Sequence, residues 1–120
     1  YRIMYYTYML RCKDNSIYTG ITTDLERRFL EHSSKSEKCA KYTLNHQALK
    51  VEAAWESKTR ATASKLEYNL KKLKKTQKEN LINNKCNLNK ILENKLDCNE
   101  YKRIKWVLQM YSLFYMKKFE

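Results

Sequence analysis

Proline is absent from this 120-residue chain, and glycine occurs once, at Gly20. Its loops must therefore turn on Asn, Asp, Ser and Lys, with Asn and Asp the residues that best tolerate tight or left-handed backbone. No apolar run approaches the ~18 residues that a membrane span requires, and no secretory leader is expected. Cysteine is sparse and scattered. Cys12, Cys39, Cys86 and Cys98 form no C-x-x-C pair, and neither His32 nor His46 stands at zinc-ligand spacing beside them. A structural zinc site is thereby set aside in favour of free thiols in a cytoplasmic compartment. No internal repeat is present.

Positive charge is what the chain has in excess. Twenty-five Lys and Arg face 13 Asp and Glu, giving a formal charge of +12 and a pI near 9.6. In a small domain this biases binding toward polyanions, nucleic acid first. An acidic membrane surface or an acidic protein would use the same charge. The length suits one domain, and an apolar share of 42% is enough for a compact core.

The stretch Tyr18–His32 organises the rest. Tyr18-Thr19-Gly20-Ile21-Thr22 is β-branched and aromatic, as a strand should be. A glycine inside a strand marks the close approach of another backbone or a ligand. Thr23 or Asp24 then caps a helix that starts near Leu25. Along it, Leu25, Arg28, Phe29 and His32 recur at i, i+3, i+4 and i+7, so one stripe carries two apolar residues, a guanidinium and an imidazole. An arginine on an inward stripe needs an anionic partner or a water-filled cleft.

In chain order, Tyr5–Cys12 reads as a first strand. Tyr6, Tyr8 and Leu10 fall on one face, and Tyr5, Thr7, Met9 and Arg11 on the other. A turn at Lys13–Ser16 has Asn15 as its left-handed residue, and Ile17–Thr22 returns antiparallel. Leu49–Trp55 is a third strand, with Leu49, Val51, Ala53 and Trp55 expected on one face. Thr59 caps a helix to about Leu73, in which Glu67 interrupts the stripe Ala63, Leu66, Leu70. Two helices, each with one charge in an apolar series and of opposite sign, point to a shared polar site. Thr76-x-x-Glu79 is a capping-box pattern. Leu88, Ile91, Leu92 and Leu96 have near-helical spacing, and Glu100–Lys118 reads as an amphipathic helix through Tyr101, Ile104, Val107, Leu108 and Tyr111. Its apolar face is expected to dock on the domain or to form a homodimer.

Taken together, Tyr8, Tyr18-Thr19-Gly20, Arg28 and His32 resemble the signature of the GIY-YIG nuclease family, in particular its small single-domain bacterial members, which are related to the nuclease module of the excision-repair incision subunit. The resemblance runs from about Tyr5 to Ile82. It implies an α+β fold, with a small three-stranded, mainly antiparallel sheet flanked by helices. Residues 1–83 would form the nuclease domain, and residues 84–120 a C-terminal helical extension. It also implies a metal-dependent endonuclease acting on DNA ahead of RNA, in repair, recombination or mobile-element movement. One Mg2+ or Mn2+ ion would sit on Glu67. The catalytic set would be Tyr8, Tyr18, Arg28, His32 and Glu67, with Tyr8 favoured as base and Tyr18 as its support. Gly20 and the Lys41-Tyr42-Thr43 motif would contact nucleic acid, although Leu44–Ala48 replaces the arginines and proline usual after that motif. Hydrolysis needs an aimed and deprotonated water and a stabilised phosphate. A tyrosine base of ordinary pKa ~10 would have to be lowered by cation and arginine. The rival expectations are a non-catalytic nucleic-acid-binding module and an interaction protein built on the C-terminal helix.

Overall fold

The computed structural model describes residues 2–34 and 46–109. Among them, four strands form one antiparallel sheet in the order β2-β1-β3-β4: β1 (Tyr5–Cys12), β2 (Ile17–Thr22), β3 (Ala48–Ser57) and the two-residue β4 (Lys102–Arg103). The helices are α1 (Leu25–Ser33), α2 (Arg60–Lys71), α3 (Lys75–Ile82) and the short α4 (Leu88–Leu92). Single 3-10 turns occupy Cys98–Glu100 and Trp106–Gln109.

Strand alternation divides the core in two. Tyr8 and Leu10 of β1 face a cluster with Leu25 and Phe29 of α1, Ala54, Ile104 and Val107. Met9 faces the other way, into Ala53, Trp55, Leu66, Leu70, Leu81, Leu88 and Leu92. Helix α1 thus covers one face of the sheet, and α2, α3 and α4 cover the other. The local chemistry follows the sequence closely. Asn15 turns the β1–β2 hairpin at φ 70°. The Asp24 carboxylate accepts from the Arg27 amide at 3.1 Å, and the Thr59 hydroxyl accepts from the Thr62 amide at 3.1 Å, so both helices have their N-caps.

Several expectations are corrected. The sheet has four strands rather than three. In β3 the predicted alternation breaks, because the pairing with β1 steps from Ala53 to Val51 and skips Glu52. That bulge puts Val51 on the α1 face while Ala53 and Trp55 stay on the α2 face. Helix α3 is capped at Lys74, two residues before the expected Thr76. The Gln77 side chain accepts from the Lys74 amide at 2.9 Å, and Glu79 turns instead to Arg11. The helix expected over Glu100–Lys118 does not form over its described part. Residues 101–104 are extended, Arg103 pairs with Trp55 and Lys102 with Glu56 on the open edge of β3, and the Ile104 amide donates to Ala54. An unpaired strand edge offers a row of backbone partners that outweighs the helical preference of an isolated segment. Ile104 and Val107 are spent on this chain's own core rather than on a dimer face. Residues 110–118 of the expected helix lie outside the described residues, as do Lys41, Tyr42 and Thr43. No helix of the described residues is long and apolar enough to cross a membrane.

Candidate active site

The hairpin sets the first half of the site. Antiparallel pairing places Tyr8 opposite Gly20 and Leu10 opposite Tyr18, so Tyr8 and Tyr18 are diagonal neighbours on one face. Their ring centroids are 6.3 Å apart. Gly20 has an ordinary φ, so its role is spatial. A Cβ built there would lie 2.6 Å from the Tyr8 hydroxyl oxygen and 2.8 Å from Cζ. The Tyr8 ring lies across the bare backbone of its cross-strand partner, and only glycine leaves room for it. The close approach expected at Gly20 is therefore made by a side chain of the protein itself.

Helix α1 supplies the second half. Leu25 and Phe29 seat it on the sheet, which brings His32 inward to full burial and leaves Arg28 half-buried beside it. The Tyr8 hydroxyl and His32 Nε2 are hydrogen-bonded at 3.0 Å. The imidazole also packs against Tyr18, at 5.1 Å between centroids. Burial, with the Arg28 charge adding to it, pushes the His32 pKa down to about 4, so the ring is neutral at pH 7 and one of its two nitrogens is an acceptor. Burial raises Tyr8 well above its ordinary value, the neighbouring Tyr18 adds to the rise, and hydrogen-bonding and charge from Arg28 only partly offset it. Tyr18 is raised by burial as well, again against Arg28. The expectation that arginine would help lower a tyrosine is met in direction, but desolvation is the larger effect. The resting site thus holds two protonated tyrosines and a neutral imidazole.

Arg28 has the anionic partner that its position demanded. Its Nη1 donates to Glu31 Oε1 at 2.9 Å, one turn along the same helix, and its side chain reaches the Tyr8 hydroxyl. Glu31 escaped sequence reasoning, although an acid at i+3 from an inward arginine was the available signal.

Glu67 comes from α2, which packs across β1 and β2 from the other face through Ala63, Leu66 and Leu70. Its half-buried carboxylate is 3.5 Å from Lys71 Nζ. Its negative charge raises both the Tyr8 and the Tyr18 pKa, so it shares an electrostatic neighbourhood with them. Among the described residues no three His, Cys, Asp or Glu gather as a metal cage. A lone carboxylate suits a hard divalent cation that keeps most of its water and completes its shell on substrate phosphate, and it does not suit zinc. His46 bonds Asp14 in the β1–β2 turn.

Comparison with known proteins bears on the family. The family model of the GIY-YIG catalytic domain matches residues 4–80. A UPF0213 protein of Fusobacterium nucleatum is 44% identical over 90 residues, covering 75% of this chain and 88% of that protein. A UPF0213 protein of Cupriavidus necator is 46% identical over 74 residues, covering 62% of this chain and 78% of its own length. Among solved structures, the solution NMR structure of a UPF0213 protein from Bacillus halodurans is 39% identical, covers 68% of this chain and 85% of its own, and superposes with a TM-score of 0.41.

Proposed function

This chain belongs to the GIY-YIG family, and from that membership we propose that it is a divalent-metal-dependent endonuclease that hydrolyses phosphodiester bonds in DNA, acting in the cytoplasm in repair, recombination or mobile-element movement. The observation that carries the proposal is the convergence on the Tyr8 hydroxyl of His32, Arg28, Tyr18 and the field of Glu67. Glu67 would hold one Mg2+ or Mn2+ ion, whose chemistry when bound is to neutralise charge on the phosphate and on the departing oxygen.

The chain's own groups divide the remaining tasks. With neutral His32 as acceptor, the Tyr8 hydroxyl donates its proton to Nε2 and keeps its oxygen lone pairs for the attacking water. As Tyr8 takes a proton from that water, its own can pass to Nε2, a transfer for which a neutral imidazole is required. Arg28, held by Glu31, would meet the phosphate, whose oxygens a planar guanidinium matches in geometry. Tyr18 braces His32 and Tyr8. Gly20 keeps Tyr8 seated.

Substitution of Glu67 by Ala is expected to reduce magnesium- or manganese-dependent cleavage of plasmid or branched DNA by roughly 100-fold or more, with DNA binding and the circular dichroism spectrum retained. Undiminished cleavage would remove Glu67 from the mechanism. Binding by the unaltered protein without cleavage under either metal would leave a nucleic-acid-binding module in place of a nuclease.

A further inference from the structure

Helix α2 presents two different flanks to either side of its buried stripe. Successive residues turn about 100° round a helix. Glu67 stands at one edge of the stripe, Lys71 comes next, and Tyr68 and Lys72 lie on the outward side, opposite the stripe. On the other flank stand Thr62 and Asn69, where the Tyr101 hydroxyl donates to the Thr62 carbonyl at 2.7 Å and the Asn69 amide donates to Lys65. The C-terminal segment thus packs along that flank, and the outward side that carries Tyr68 faces water. Tyr68 is 59% exposed, the most of any large hydrophobic side chain among the described residues. The Lys72 ammonium lies 4.1 Å from its ring centroid. From Lys58 to Lys85 nine Lys or Arg stand against two acids, Glu67 and Glu79, and Glu79 is taken by Arg11. An exposed aromatic face braced by a cation, in a field of excess positive charge, is complementary to a nucleotide with a free base face and a flanking phosphate. Duplex DNA hides its base faces and cannot use such a surface.

We propose that Tyr68, with Lys71 and Lys72 beside it, is a stacking platform for one unpaired base next to the scissile phosphate, so that the protein prefers locally unpaired or flapped DNA to plain duplex. The proposal rests on the nuclease reading for the position of that phosphate, at Glu67, the preceding residue, about 100° round the helix from Tyr68.

The test uses full-length protein carrying Glu67→Ala, without metal. It compares affinity for a flapped DNA, with 2-aminopurine at the unpaired position beside the junction, against affinity for the matching duplex. A preference for the flap and quenching of the 2-aminopurine emission are expected. Tyr68→Ala should cut the preference by about tenfold and abolish the quenching, whereas Tyr68→Phe should keep both. Equal affinity for the two DNAs, or a Tyr68→Ala protein that still discriminates and quenches, overturns the proposal. Because this readout involves no cleavage, its failure would leave metal-dependent cutting by the unaltered chain standing. Absence of cutting would likewise leave the stacking result standing.

Discussion

His32 has no exposed surface, yet it is bonded to Tyr8, packed on Tyr18 and set in the field of Arg28. Such a ring is a proton sink in the unfolded chain and a neutral acceptor in the folded one. Its folded pKa of about 4 lies below the ordinary 6.5, so between those values the unfolded state binds more protons. The stability this contributes is complete above pH ~6.5 and is lost as the pH falls toward 4, on the order of 3 kcal/mol in all and about 2 kcal/mol of it by pH 5. Replacement by Gln keeps a side chain able to bond the Tyr8 hydroxyl and removes the titration. Urea unfolding at pH 7, 6 and 5 should show the unaltered protein weakening across this window and His32→Gln staying nearly level. Equal slopes for the two would show that the imidazole titrates normally. Helical spacing alone put Leu25, Arg28, Phe29 and His32 on one stripe, and that much was legible in the sequence. The protonation state of the tyrosines was not, because residue order counts neighbouring charges but does not register how much water a hydroxyl loses. Gly20 was legible as a point of close approach, but its partner was not, since register decides that Tyr8 lies opposite.

Between elements, Arg11 is the junction that ties the sheet to α3. Its Nε donates to Glu52 Oε2 at 2.9 Å, and its Nη1 donates to Glu79 Oε2 at 2.8 Å. The bulge at Glu52 makes this geometry, because the residue skipped in the β1–β3 register is the one that turns its carboxylate to Arg11. Alternation in the sequence gave no sign of the bulge, since one unpaired residue reverses every later assignment of faces. The capping pattern at Thr76 misled for a related reason. Glu79 gains more from a half-buried guanidinium than from an exposed helix terminus. Lys50 stays 3.2 Å from Glu52, so the loss of Arg11 falls mainly on Glu79. Arg11→Met, which retains most of the apolar stem, is expected to cost about 2–3 kcal/mol and to speed amide exchange in α3. Adding Glu79→Gln should recover much of that cost, because no stranded carboxylate remains. Unfolding midpoints for the two single variants and the double variant decide this. Additive losses would mean that the pair is not coupled.

Over the molecule as a whole, the net charge and the α+β plan were visible from composition and from the run of strand and helix patterns up to Ile82. The segment beyond was not. An apolar residue every three or four positions is shared by a helix and by any irregular chain that buries the same side chains, and only the open edge of β3 selects between them. Leu88, Leu92 and Leu96 fill the α2–α3 face, and Ile104 and Val107 fill the α1 face. Arg103 donates to the Leu81 and Ile82 carbonyls at 2.7 and 3.1 Å, closing the C-terminal end of α3, and its guanidinium lies over the Trp55 ring at 5.6 Å. Both halves of the core are therefore completed by residues 84–107, beyond the end of the family match at residue 80. Five buried aliphatic side chains at about 1.5 kcal/mol or more each are comparable with the whole margin of a small domain, about 5–15 kcal/mol. A chain ending at Asn83 is accordingly expected to lose its cooperative unfolding transition and its near-ultraviolet circular dichroism while the sequence of the site remains intact. A chain ending at Gln109 should keep both. A sharp unfolding transition in the shorter chain would show that the family-matched part folds without this segment, and that the segment's contacts with β3 and α3 are accessory to it.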